Sequence, residues 1–250
     1  MTTVRDIYDF LDTVCPFSLA EEWDNPGLNV GYFSRRVHKV LVALDLTMDA
    51  IFTARELECD LILTHHPLIF DPLRQITGDS AEGRRILALG ANNIAHIACH
   101  TNLDAAEGGV NDVLAGLCAL KEVAPLGGLG RVGYTKTTLP ALIETLKEKL
   151  NAPIAAVCCN DQVERVAVVG GAGDSFLEEP DLLQAGDTFI TGEAKHHQLL
   201  LARERGINLL VAGHYETEYP VLEPLTEKLR AAFPEVDFKV MPFAAPTEVF

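Results

Sequence analysis

Basic residues are the first shortage. Lys and Arg together number 20 against 36 Asp and Glu, for a formal charge of −16. Such a surface repels phosphate backbones and anionic lipid at long range, which counts against general nucleic-acid binding and against membrane attachment. Long apolar runs are missing as well: no stretch approaches the ~18 consecutive apolar residues of a membrane helix. The opening segment MTTVRDIYDFLD carries acids where a signal peptide needs an apolar core. A cytoplasmic location is therefore expected. The six cysteines, at 15, 59, 99, 118, 158 and 159, form no Cys-x-x-Cys pair. Cys59, Cys99 and Cys118 sit in apolar runs, where a thiol behaves as a small hydrophobe, and the adjacent Cys158 and Cys159 are poorly placed to bridge. The expectation is a reduced protein without a thiolate metal site.

What is present suits a packed α/β protein. With 250 residues, 48% of them hydrophobic, the chain can form one large domain or two small ones and is not disordered as a whole. Short apolar runs alternate with amphipathic stretches. VRDIYDFLDTV, MDAIFTARELE, GRRILALGANN and VNDVLAGLCAL have helical spacing, while KVLVALDL, DLILTHH and IAHIACHTN read as buried strands. Further on, LPALIETLKEKL, HHQLLLARERG and PVLEPLTEKLRAAF predict helices, and PIAAVCC, VERVAVVGG, GDTFIT and INLLVAGH predict strands. This alternation predicts a parallel or mixed sheet covered by helices. Four glycines in APLGGLGRVG (124–133) mark a junction. The expected division is 1–125 plus 225–250 as one α/β lobe and 126–224 as a second. An approximate internal repeat accompanies it: DLILTHHP matches DTFITGEA, and ALGANNIAHIACHTNLD matches LARERGINLLVAGHYETE.

In both halves the polar residues cluster just past strand ends, where ligand sites of open α/β sheets gather. The clusters are His65-His66-Pro67, His100-Thr101-Asn102-Leu103-Asp104, Gly192-Glu193 with Lys195-His196-His197, and Gly213-His214-Tyr215-Glu216-Thr217-Glu218. Six of the eight histidines fall in them. Within a strand, neighbours such as His65 and His66 point to opposite faces, but beyond the strand end both can turn to one site. On a helix His214 and Glu218 lie one turn apart. Imidazole plus carboxylate without thiolate suits zinc, iron, manganese or magnesium, and five or more such groups suffice for two ions. His38 and His96 receive no functional role, His96 being a core residue by its strand pattern. Trp23-Asp24-Asn25-Pro26-Gly27 reads as a structural turn. Gly170-Gly171-Ala172-Gly173-Asp174 follows a strand as a phosphate loop would, yet it lacks the third glycine of the dinucleotide fingerprint and presents an acid.

In order along the chain, EWDNPGLNVG, LTHHP, CHTNLD, GGLGRVG, FITGEAKHH and AGHYETE resemble the motifs of the NIF-three-like dinuclear-metal family. Some members of that family carry the name GTP cyclohydrolase I type 2 homologue. The resemblance spans nearly the whole chain. It implies two similar, interlocked α/β lobes with the metal site between them, assembled as a homohexamer. It implies His65, His66, Asp104, His214 and Glu218 as ligands of two divalent metal ions. His100, outside that ligand set, is placed beside Asp104 or on the substrate side as a proton carrier. Glu193 and His197 are placed along the same cleft. The implied function is a metal-dependent hydrolase of a small nucleotide-like or heterocyclic substrate, resembling the cyclohydrolase. The rival is a non-catalytic metal carrier or partner-binding adaptor built on the same hexamer, against which the polar residues beyond the ligands count.

Overall fold

The computed structural model describes residues 1–246. The chain divides into two compact units: Met1–Glu107 with Leu222–Phe243, and Gly108–Val221 with the chain from Ala244. The first segment holds α1 (Val4–Val14), β1 (Gly27–Val30), β2 (Lys39–Ala43), α2 (Met48–Glu56), β3 (Leu61–Thr64), α3 (Ala81–Ala91), β4 (Ala95–Ala98) and α4 (Thr101–Ala105). The second unit begins with α5 (Val110–Leu117), β5 (Lys121–Leu126), β6 (Gly130–Thr138), α6 (Leu139–Leu150) and β7 (Ala155–Val157). It continues through β8 (Gln162–Val169), β9 (Thr188–Thr191), α7 (His196–Arg205), β10 (Asn208–Val211) and α8 (His214–Glu218). The chain then returns to the first unit with α9 (Leu222–Ala232) and β11 (Asp237–Val240). No helix among the described residues is long and apolar enough to cross a membrane.

The sheet of the first unit runs β1-β4-β3-β2-β11, with β1 antiparallel and the other four parallel. Its strands are apolar on both faces because helices cover it. Leu41 and Ile62 pack with Ala50, Ile51 and Ala54 of α2 and Leu89 of α3, while Val40, Val42, Leu61 and Leu63 are buried as well. The helix starts follow local chemistry. Thr3 and Asp6 form a reciprocal capping box at α1, and Val4, Ile7 and Leu11 turn one stripe of that helix inward.

The second sheet runs β5-β6-β8-β9-β10-β7, with β8, β9 and β10 parallel. Alternate residues feed two cores. Val166, Val168, Ile190 and Leu210 pack with Leu114 of α5 and Leu142 and Leu146 of α6, whereas Ala167, Val169, Phe189 and Leu209 pack with Ala202 of α7. Each fully buried Leu or Ile contributes roughly 1.5–3 kcal/mol from apolar transfer. The glycine-rich stretch 124–133, expected to join the lobes, instead closes the β5–β6 hairpin inside the second unit. Its Gly127 and Gly128 occupy positive φ, which is the need those glycines answer. The chain passes between units at Gly108 and Leu222.

Candidate metal centre

In the first unit three parallel strands end together. Ala43 pairs with Thr64, and Thr64 with Ala98, so the residues that follow leave the sheet side by side. Those residues are Asp45, His65-His66 and Cys99-His100. Their side chains interlock through the Nδ1 atoms of the histidines. His65 Nδ1 lies 2.8 Å from the Cys99 carbonyl, His66 Nδ1 lies 2.9 Å from Asp45 Oδ1, and His100 Nδ1 lies 2.8 Å from Asp24 Oδ1. A carbonyl can only accept, so His65 donates from Nδ1, and a carboxylate imposes the same tautomer on the other two. Nε2 is then the atom that could coordinate in all three. His65, His66 and His100 each offer a ligand atom within 4.8 Å of the others'. Asp104, buried on the short helix α4, brings Oδ1 to 3.6 Å from His65 Nε2.

Asp24 anchors this arrangement from the turn before β1. It accepts from His100, from the Thr101 N–H at 3.0 Å and from the Thr101 hydroxyl, thereby capping α4 from a distance. Burial works to raise the Asp24 carboxyl, but the His100 and Thr101 donors more than reverse it and hold it at about 2. Behind the site, His96 on β4 is fully buried and bonds Thr64 Oγ1 through Nε2 at 2.7 Å. Thr64 in turn donates to the His66 carbonyl at 2.6 Å. Burial pushes the His96 imidazole down to about 3, so it is a neutral core residue, as its strand position predicts.

The second unit repeats the plan. Val169 pairs with Thr191, and Thr191 with Val211, so Gly170-Gly171, Gly192-Glu193 and Ala212-Gly213-His214 leave the sheet at one end. Gly213, at φ +87, turns the chain into α8. One turn of that helix sets His214 Nε2 3.2 Å from the buried Glu218 Oε1, and His214 Nδ1 lies 2.8 Å from Glu193 Oε1. Gly171, at φ +62, passes so close that a Cβ there would overlap Glu218 Oε1 and reach 3.1 Å from His214 Nε2. The loop Gly170–Gly173 is not a phosphate cradle. Its amides at Gly170, Gly171 and Gly173 are committed to Asn111, Thr217 and Thr191 at 2.8–3.0 Å. It serves as a thin wall against Glu218 and His214.

These donor sets suit divalent ions. Two ligands about 2.1 Å from one tetrahedral ion stand about 3.4 Å apart. The His65–Asp104 and His214–Glu218 separations, 3.6 and 3.2 Å, bracket that value. All donors are imidazole or carboxylate; the cysteines are free, with burial pushing the Cys59 and Cys118 thiols up to about 11 and 12.

Of the residues expected from sequence, His65, His66, His100 and Asp104 meet in the first unit, and Glu193, His214 and Glu218 meet in the second. His197 lies on the exposed first turn of α7 and faces Glu178 at 3.4 Å instead. Asp24 and Asp45 carry no role in the sequence reading above. Asp45 had a readable signal, an acid two residues past a buried strand in parallel with the His-His strand. The signal for Asp24 was weaker: an acid beside the single Trp, inside what looks like an ordinary turn.

The Duf34/NIF3 (NGG1p interacting factor 3) family model matches residues 2–248. A Clostridium perfringens protein named GTP cyclohydrolase 1 type 2 homolog is 35% identical over 239 residues, covering 91% of each chain. The crystal structure of Staphylococcus aureus hypothetical protein SA1388 superposes with a TM-score of 0.91 at 29% identity, covering 99% of each chain. Reduced HcgD from Methanocaldococcus jannaschii follows at 0.85 and 30% identity, covering 97% of this chain and 98% of that one. Fold, motif order and full-length similarity agree, and the chain belongs to the Duf34/NIF3 family.

Proposed function

We propose that His65, His66 and Asp104 of the first unit and His214 and Glu218 of the second hold two divalent ions, and that the protein is a metal-dependent hydrolase of a small nucleotide-like or heterocyclic substrate. The observation that carries this reading is the shared orientation of the histidines. His65, His66, His100 and His214 each have Nδ1 2.8–2.9 Å from an oxygen, which turns Nε2 away from that oxygen. Metal-ligating histidines have that arrangement, because the outer partner fixes the tautomer and raises ligand basicity. The names of the relatives support the choice of a nucleotide-like substrate. Two ions bound there would supply Lewis acidity and water acidified toward neutral pH.

The chain's own residues set up the rest. Asp45 and Glu193 orient His66 and His214, and the Cys99 carbonyl orients His65. His100, its Nδ1–H held by Asp24, stands on the substrate side of the ligands, with the Nε2 lone pair placed to take up and return a proton. His197 is assigned no step. The family resemblance supports a homohexamer, for which light scattering should give about six times 27.2 kDa.

Elemental analysis after metal loading and desalting tests the centre, with about two ions per chain expected. One or fewer, unchanged in Asp104→Ala, sinks the dinuclear reading. A panel of phosphoester, amide and cyclic-amidine substrates on the loaded protein then tests hydrolysis.

A further inference from the structure

Two large aromatic side chains stand exposed beside the first unit's histidines. Trp23 is 56% exposed and Phe70 is 50% exposed, and their rings lie 5.5 Å apart, tilted by 36°. They arrive from different segments, the turn before β1 and the loop after His65-His66-Pro67. Two hydrogen bonds staple those segments: Asn25 Nδ2 donates to the Ile69 carbonyl at 2.7 Å, and the Leu68 N–H donates to Asn29 Oδ1 at 3.0 Å. Both rings make T-shaped contacts with the His100 imidazole, each with its centroid 5.9 Å away. His100 in turn lies 5.2 and 5.3 Å from His65 and His66. Through His100, the aromatic pair therefore adjoins the histidines proposed as metal ligands.

An exposed tryptophan costs hydration free energy unless something flat covers it, and the segment carrying this one is stapled by hydrogen bonds while the ring stays out of the core. The polar group at its side is chemically specific. With Nδ1–H given to Asp24, the His100 Nε2 carries a lone pair and can accept from a ring N–H or an exocyclic amino group. A patch serving only as an apolar contact has no use for an imidazole whose tautomer is fixed by a buried acid.

We propose that Trp23, Phe70 and the Nε2 edge of His100, set by Asp24, form a subsite for a planar aromatic heterocycle, stacked on the two rings and hydrogen-bonded at its rim. The proposal rests on the metal-centre reading only for the ligand's further fate; its binding test is separate. Trp23 is the only tryptophan of the chain, so its fluorescence reports the subsite directly. The zinc-loaded, full-length protein is titrated with guanosine and with uridine, and with ribose 5-phosphate as a non-aromatic control. Saturable quenching by at least one nucleoside and none by the control is expected.

Calorimetry on variants assigns the contacts. Trp23→Ala and Phe70→Ala should each weaken nucleoside binding by about tenfold, the scale of one lost stacking contact, while Trp23→Phe keeps most of it. Zinc per chain and assembly mass should be unchanged in all three. Quenching by neither nucleoside, or equal affinity in the alanine variants, overturns the subsite while leaving the metal centre standing. Loss of zinc in the variants, or a change in assembly mass, overturns it in favour of a supporting or intersubunit role. Failure of the wild-type chain to hold zinc tells against the metal centre instead, and the same titrations on metal-free protein then decide the subsite.

Discussion

The two units solve one architectural problem with different side chains. In each, three adjacent parallel strands end in register, an antiparallel strand flanks them, and a one-turn helix follows the strand nearest that flank. Past the first unit's strand ends stand Asp45, His65-His66 and His100. The corresponding places in the second hold Gly170-Gly171, Gly192-Glu193 and Gly213. One unit brings donors to the sheet end itself. The other clears the sheet end with glycines and delivers its donors, His214 and Glu218, from the short helix. A sheet end thus becomes a site either by filling it or by vacating it for a neighbouring element.

The largest test of that contrast is Gly171→Ala. A Cβ there overlaps Glu218 Oε1, and the positive φ disfavours any side chain. The expected outcome is a stability loss of roughly 1–3 kcal/mol in urea melts, together with loss of the second unit's contribution to metal binding. Alanine at Asp45, its counterpart in the first unit, should leave stability nearly unchanged, since that side chain is half exposed. If Gly171→Ala binds metal like the parent, the thin wall has no role in the site.

His65→Ala and His100→Ala come next and divide the first unit's histidines. His65→Ala removes a proposed ligand and should lower the metal content. His100→Ala should cost activity while most metal stays bound. If His100→Ala strips metal as thoroughly, then His100 is a ligand, an outcome its 4.8 Å grouping with His65 and His66 makes worth testing.

Asp45→Asn and Glu193→Gln compare the orienting carboxylates directly. Each accepts from a histidine Nδ1, at 2.9 and 2.8 Å, one in each unit. Outer partners of this kind typically change metal affinity by about 10–100-fold. Both are well exposed, so about tenfold is expected, read by competition with a chelator.

Much of this was legible in the chain, and the reasons for the rest are physical. Buried parallel strands are continuous apolar runs and amphipathic helices repeat at 3.6 residues, so α1, α2, α3 and the strands that carry the site stand out. The edges do not. β1 has four residues, mostly half-buried, and β5 is exposed along all but its last residue, so neither has a period to read. The glycines of 127–133 signal a turn equally well in a junction and in a hairpin, and pairing, which is non-local, decides between them. His65, His66 and Asp104 announce themselves by residue type. Asp24 and Asp45 act only through partners 76 and 21 residues away, a distance that strand register creates and local pattern does not reveal.

The smallest expected effect concerns what lies behind the strand ends. In register His96 of the first unit corresponds to Leu209 of the second, the third residue from the end of each strand's pairing. Both are fully buried, but only one can titrate. Burial holds His96 down at about 3, against 6.5 for the unfolded chain. Below pH 6.5 the unfolded state binds a proton that the folded state refuses, so stability is complete above that pH and falls as pH drops toward 3. Between pH 7 and pH 5.5 the loss from this one group is about 1 kcal/mol. His96→Leu gives the first unit the second unit's residue. Urea melts of metal-free protein should then lose less stability over that interval than the parent does. The variant also gives up the Thr64 contact, so its stability at pH 7 should be slightly lower and the two curves should converge on acidification. Parallel curves would mean that His96 takes up its proton without opening the core.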